Sequence, residues 1–243
     1  MFSVAMRTLR MEHDALLARL QEVIGHTFAQ KELLQQAVTH RSYLNENPSW
    51  PLDHNERLEF LGDAVLELVV TEHLYQTYPN PEGELTNWRA ALVNANTLAL
   101  IASDLALNEC MLLSKGEARD IGRARQYILA NAMEALIGAV YLDGGYAPAA
   151  AVIKTHVLSR LPDIIEKRLY RDPKSVLQEE AQERVSATPT YEVLEEWGPD
   201  HARHFRVGVF LSGEQTGVGE GPSKQDAQQA AAQDALAKKK WGK

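Results

Sequence analysis

The stretch 54-HNERLEFLGDAVLELVVTEHLY-75 decides how this chain is read, because three of its carboxylates, Glu56, Glu59 and Asp63, interrupt the apolar first half of a helix. At about 100° per residue, Glu56, Glu59 and Asp63 fall on one narrow stripe, while Leu58, Leu61, Val65 and Leu68 gather on the opposite side. Acids at helical spacing are ordinarily a solvated face. Phe60 argues against that here: it lies beside the acids, so either a large aromatic stands in water or something covers that edge.

Helical patterning continues on both sides. The segments LLARLQEVI (16–24), KELLQQAVTH (31–40), LTNWRAALVNANTLALIASDL (85–105), QYILANAMEALIGAVYLD (126–143) and PAAAVIKTHVLSRL (148–161) each read as a helix. They are separated by the turn signals NENPSWP, YPNPEGE, LLSKGEARDIGRAR and DGGYAP, so residues 12 to about 168 form one α-helical region without a repeat.

At Asp172 the pattern changes. Asp172-Pro173 supplies an N-cap and a proline at the first helical position, opening the helix PKSVLQEEAQERV. Strands follow in TYEVLEEW and HFRVGVFLS, the second pointing Phe205, Val207, Val209 and Leu211 inward and Arg206 and Gly208 outward. A turn at SGEQ leads to a shorter, glycine-weakened strand, EQTGVGEG. Ser223 and Asp226 then start a last helix, with Ala227, Ala230, Ala231 and Ala235 on one smooth face. The fold class is therefore mainly α: an all-α domain followed by a small αβββα domain.

With 243 residues, 45% hydrophobic and 24% charged, the chain is long enough for a large core or two ordinary ones. One cysteine, Cys110, excludes a disulfide framework and a cysteine zinc site and suits a reducing cytoplasm. No run is long enough for a membrane span, and the first ten residues lack a secretory signal's apolar core. The net charge of −8 counts against nucleic acid, and both parts share it: residues 172–243 hold 9 basic and 12 acidic side chains. Local arrangement says otherwise. Lys224 stands at the start of the last helix, where free backbone N–H groups and the helix dipole already attract phosphate. Lys238, Lys239 and Lys240 close the same helix, where ordinary C-capping accounts for them.

A second polar stripe lies in ILANAMEALIGAVYLDGG, where Asn131 and Glu134 share a face. A carboxylate inside AMEALIGA is costly to bury unless it is paired or holds a cation. Two helices that each present oxygen ligands suit magnesium, which keeps several waters and takes few carboxylates. The residues alone leave two readings open, a metal site or a structural ion-pair network.

At these residues the sequence resembles bacterial ribonuclease III. The resemblance is carried by VTHRSY (38–43), NERLEFLGDAVL (55–66), PEGELT (81–86), KGE (115–117) and LANAMEALIGAVYLDGG (129–145). The small domain resembles the double-stranded-RNA-binding domain through PKSVLQE, WGPDH and GPSKQDAQQAAAQDAL. The resemblance implies a catalytic domain over 12–147, a terminal helix and linker over 148–171, and the RNA-binding domain over 172–241. It implies a magnesium-dependent endoribonuclease, with manganese able to substitute, that hydrolyses double-stranded RNA in rRNA, mRNA and tRNA precursors. The products would carry 5′-phosphate and 3′-hydroxyl ends with short 3′ overhangs.

By the same resemblance Glu59, Asp63, Asn131 and Glu134 surround the metal, and Glu56 and Glu82 line the same cleft with catalytic Asp63 and Glu134. Read from the residues, His40 and Ser42 in HRSY offer a nucleophilic pair, but fixing the neighbouring loop is the favoured reading. By the resemblance again, Ser175, Gln178, Glu179 and His201 face minor grooves, Lys224 and Gln225 face phosphates, and Arg119, Arg123 and Arg125 offer a further backbone contact. Phe60 enters a socket on a second copy, making a cytoplasmic homodimer with no membrane partner and no small-molecule cofactor. One departure stands out: the family pattern has aspartate where this chain has Asn131, which keeps a catalytically silent double-stranded-RNA-binding or ribosome-associated scaffold in play.

Overall fold

Helix follows helix from Phe2 to Glu166: α1 (Phe2–Ile24), α2 (Lys31–Ala37), α3 (Arg41–Glu46), α4 (Glu56–Thr77), α5 (Glu82–Val93), α6 (Ala95–Asp104), α7 (Leu107–Cys110), α8 (Arg123–Gly144), α9 (Tyr146–His156) and α10 (Leu161–Glu166). The computed structural model describes residues 2–119, 122–199 and 203–241. The chain divides into two compact units, Met1–Tyr170 and Arg171–Lys243. Among the described residues no helix is long and apolar enough to cross a membrane.

The first unit is arranged about α8. Ala132, Met133, Ala135, Leu136, Ile137, Ala139 and Val140 are all fully buried there, so this helix is enclosed on nearly every side. That explains its all-round apolar composition. Against it lie α4, through Leu58, Val65, Leu66, Val69 and Val70, and α6, through Leu98, Ile101 and Ala102. The segment read as one helix over 85–105 is two. Asn94 interrupts it, and its side chain accepts from the Thr97 N–H to cap α6. The segment 148–161 is likewise broken, by the turn Leu158–Arg160 between α9 and α10.

The apolar side of α4 is not where simple alternation puts it. Leu58 and Val65 are buried and Leu61 partly so, but Leu68 is 58% exposed. The buried arc runs through Leu58, Gly62, Val65, Leu66, Val69, Val70 and Leu74. The acids therefore border the packed face. They do not oppose it. The reason is close approach. A Cβ on Gly62 would lie 1.8 Å from the Glu134 carbonyl oxygen, and one on Gly138 would lie 2.2 Å from that of Leu58. Two glycines let the backbones of α4 and α8 touch, and this contact fixes which way α4 is turned.

The second unit has the order α11 (Pro173–Val185), β1 (Thr190–Trp197), β2 (His204–Leu211), β3 (Glu214–Gly221) and α12 (Lys224–Lys239). The strands form one antiparallel sheet in the order β1-β2-β3. Asp172 caps α11 by accepting from the Lys174 N–H, and Ser223 caps α12 by accepting from the Asp226 N–H. Phe205, Val207, Val209 and Leu211 are buried as their alternation requires, and Arg206 is exposed. Gly208 does not face water: Leu194 and Phe210 fold over it. On α12 the buried set is Ala227, Ala231, Ala232 and Ala235, with Ala230 at its edge, because α11 as well as the sheet packs on this helix.

Candidate active site and duplex-binding surface

The α4–α8 crossing brings the two polar stripes together. Glu56 sits on the exposed first turn of α4, with Arg41 Nη1 at 3.5 Å and His54 Nδ1 at 3.9 Å. One turn further, Glu59 is partly buried; burial pushes its carboxyl up from the usual value, with Glu56 and Asp63 adding to the rise and a hydrogen bond from Asn131 opposing it. Asp63 is exposed at the rim. From α8, Glu134 faces it. Burial first, then the charges of Asp63 and Glu59, push the Glu134 carboxyl up to about 7.

Such crowding is unfavourable for the protein by itself and favourable for a cation. Four oxygen-bearing side chains suit a hard divalent ion. They do not close a cage: among the described residues no three His, Cys, Asp or Glu side chains are drawn close enough to hold a metal. An open group agrees with magnesium, which takes one or two carboxylates and leaves the remaining positions to water and phosphate.

Glu82 is elsewhere in the chain. It opens α5, accepts from Thr86 Oγ1 at 3.0 Å, and lines a depression of about 790 Å³ with Tyr75, Tyr78 and Arg89. The length of α4, about 30 Å at roughly 1.5 Å per residue, separates that end from Glu56. Within one chain, then, Glu56 and Glu82 stand at opposite ends of α4.

His40 and Ser42 brace the loop beside the site. His40 Nδ1 lies 2.8 Å from Ser42 Oγ and accepts from the Ser42 N–H, capping α3. Ser42 Oγ in turn accepts from the Ser114 N–H at 3.1 Å, and a parallel bridge pairs Thr39 with Leu112. Burial lowers the His40 pKa, against the pull of Glu117. In the arginine-rich segment, Arg119 is exposed and Arg125 Nε donates to Asn108 at 2.7 Å; the side chain of Arg123 lies outside the described residues.

On the outer side of α4 an apolar line is uncovered. Phe60 is 82% exposed and Tyr75 81%, with the half-exposed Leu68 between them.

In the second unit Ser175, Gln178 and Glu179 share the exposed face of α11. Ser175 Oγ donates to Asp172, and Glu179 lies 3.9 Å from Arg171. Lys174 Nζ donates to Gln228 on α12 at 2.7 Å, tying the first turn of α11 to α12. Lys224 and Gln225 are exposed at the start of α12, Lys224 over the Phe205 ring at 5.6 Å. Lys238 pairs with Asp234 within α12. His201 lies outside the described residues.

Sequence reasoning missed Gly62 and Gly138 as builders of this site. Their signal was visible, a glycine in each polar-striped helix, but only the crossing shows that the two meet.

Residues 30–161 match the family described as Ribonuclease-III-like, and residues 173–239 match the double-stranded RNA binding motif. The chain is 44% identical to Ribonuclease 3 of Desulforamulus reducens, over 93% of this chain and 92% of that one. It is 46% identical to Ribonuclease 3 of Bacillus licheniformis, over 90% and 88%. Among solved structures it is similar to the nuclease domain of ribonuclease III from Campylobacter jejuni, with a TM-score of 0.54 and 39% identity over 59% of this chain and 97% of that one. In that domain the region involved in dimer formation is structurally flexible.

Proposed function

Because the chain belongs to the ribonuclease III family, we propose that the α4–α8 seam is the place where it cuts RNA and that magnesium serves there. The protein is a double-strand-specific endoribonuclease, with a duplex-binding unit following the nuclease unit. The finer reading rests on one observation: Glu134 is partly buried at the α4–α8 seam beside Asp63 and Glu59, and burial first, then their charges, push its carboxyl up to about 7.

Glu59, Asp63, Glu134 and the Asn131 amide oxygen would hold the ion, with manganese able to replace magnesium. When bound, such an ion lowers the pKa of a coordinated water and neutralises charge on the leaving oxygen. The chain supplies the rest. Glu56 keeps the Arg41 guanidinium at the opening, where a backbone phosphate would pass. Ser42 and His40 hold the 111–114 segment in place beside it. Hydrolysis would leave 5′-phosphate and 3′-hydroxyl ends in precursors of rRNA, mRNA and tRNA, in the cytoplasm. Ser175, Gln178, Glu179 and His201 would test minor grooves, and Lys224 and Gln225 the phosphates between them.

Two copies would complete the site. Antiparallel pairing of α4 about Leu68 sets Phe60 of one copy opposite Gln76 of the other, beside the depression lined by Tyr75 and Tyr78. The same operation carries Glu82 of one copy toward Glu56 of the other and gives each copy one strand to cut, leaving short 3′ overhangs. Phe60→Ala should weaken the pair by about 2 kcal/mol or more. An unchanged tight dimer in sedimentation would remove the socket.

Asn131 alone favours a second reading, the silent scaffold, because an amide brings no charge to the ion. Incubation with a long RNA duplex, with magnesium and with EDTA, separates the two. Cutting in magnesium only is expected; binding without cutting in either would leave the scaffold.

A further inference from the structure

Beside the carboxylates an opening of about 470 Å³ is lined by His40, Arg41, Glu59, Tyr127 and Asn131, among others. Most of its polar side chains are already engaged. His40 Nδ1 is held by Ser42, Arg41 faces Glu56, and Asn131 bonds Glu59. Tyr127 differs. It is 50% exposed although Ile128, Leu129 and Ala130, which follow it, are buried. Its hydroxyl makes no hydrogen bond to any described residue. Tyr127, Asn131 and Glu134 also stand at helical spacing on α8, one stripe directed at the seam with α4.

An exposed phenol on the wall of a carboxylate cleft is free to bond a ligand group that tolerates the acids. A phosphate does so only where a cation or Arg41 neutralises it. A ribose hydroxyl is neutral, both donates and accepts, and lines the wide, shallow minor groove of A-form RNA.

We propose that Tyr127 contacts the strand being cut, its hydroxyl hydrogen-bonding a ribose 2′-hydroxyl next to the scissile phosphate. The nuclease unit then distinguishes RNA from DNA at the point of cleavage, independently of the duplex-binding unit. This rests on cleavage taking place at the seam, and the test keeps the two apart.

Tyr127→Phe removes the hydroxyl and little else. A hairpin duplex with one mapped cut is made as all-RNA and with single 2′-deoxy nucleotides at each position within two of the cut. Wild-type kcat/KM should fall about fivefold at one deoxy position, the size of one neutral hydrogen bond. Tyr127→Phe should fall about as much on all-RNA and hardly further on that deoxy duplex, with an unchanged melting temperature. Wild-type rates on every duplex, or a full additional loss at the deoxy position, would overturn the contact. Full cleavage of the all-RNA duplex by Glu134→Gln would overturn cleavage at the seam itself, and this contact with it.

Discussion

The α4–α8 crossing and the seat of α12 on β3 use the same device for different ends. In the nuclease unit Gly62 and Gly138 let two helix backbones touch. In the small unit a Cβ on Gly219 would lie 2.1 Å from the Ala231 nitrogen, and one on Gly217 would lie 2.5 Å from the Ala231 carbonyl oxygen. Read from sequence these glycines weaken a strand; in the fold they admit a helix. What differs is the flanking side chains. Around β3 they are mostly alanines, and the carboxylate of α12 at the contact, Asp234, is satisfied by the Val218 N–H at 2.8 Å. Around Gly62 they are Glu59, Asp63 and Glu134, and the same approach forces like charges together in a partly dry seam. Glycine sets the distance, and the neighbours decide whether the distance is structural or chemical.

Filling the glycines should break this parallel most visibly. Gly62→Ala should cost about 3 kcal/mol, since a methyl cannot share space with a backbone oxygen, and cleavage should be lost with it. Gly219→Ala should instead remove duplex binding at physiological salt and leave the melting of the nuclease unit in place. Calorimetry and gel shifts on the two variants decide this. Full cleavage by Gly62→Ala would show that the crossing does not assemble the site.

Glu134→Gln tests the cost of a carboxylate at the partly buried seam. Cleavage should disappear while duplex binding stays, because the small unit is untouched. The metal-free variant should also be more stable than wild type at pH 8. Folding raises the Glu134 pKa from 4.5 to about 7, so the folded chain keeps a proton that the unfolded chain has already released. The penalty is absent below the unfolded value, grows as pH rises through this window, and is complete above about 7. Allowing for solvent screening, its size is on the order of 2 kcal/mol. Melting curves from pH 5 to pH 8 that stay parallel for the two proteins would contradict the raised Glu134 carboxyl. Adding magnesium to wild type at pH 6.5 should release protons, measurable by titration in buffers of different ionisation heat.

Asn131→Asp has the smallest expected effect and the finest resolution. It adds a fourth carboxylate to the seam, so metal-free stability should fall slightly. The magnesium concentration for half-maximal cleavage should fall several-fold, each tenfold being about 1.4 kcal/mol. Superimposable magnesium titrations would remove Asn131 from the metal site and leave it as the hydrogen-bond donor that Glu59 has in this structure.

Much of this architecture is legible in short stretches of the chain, because its cause is local. Asp172 and Ser223 cap helices through bonds to residues two and three positions on, and the alternation in β2 follows from the pleat. Glu56, Glu59 and Asp63 share a stripe by helical spacing alone, and Phe60 is displaced from the core for the same reason. Tertiary structure decided what spacing leaves free. Which side of α4 is buried depends on where Gly62 meets Gly138, residues 76 positions apart, and so Leu68 lies outside. Glu82 stands far from Glu56 because the whole of α4 runs between them. The raised Glu134 carboxyl exists only once two helices have been pressed together, since a charge is unaffected by neighbours that the unfolded chain keeps in water.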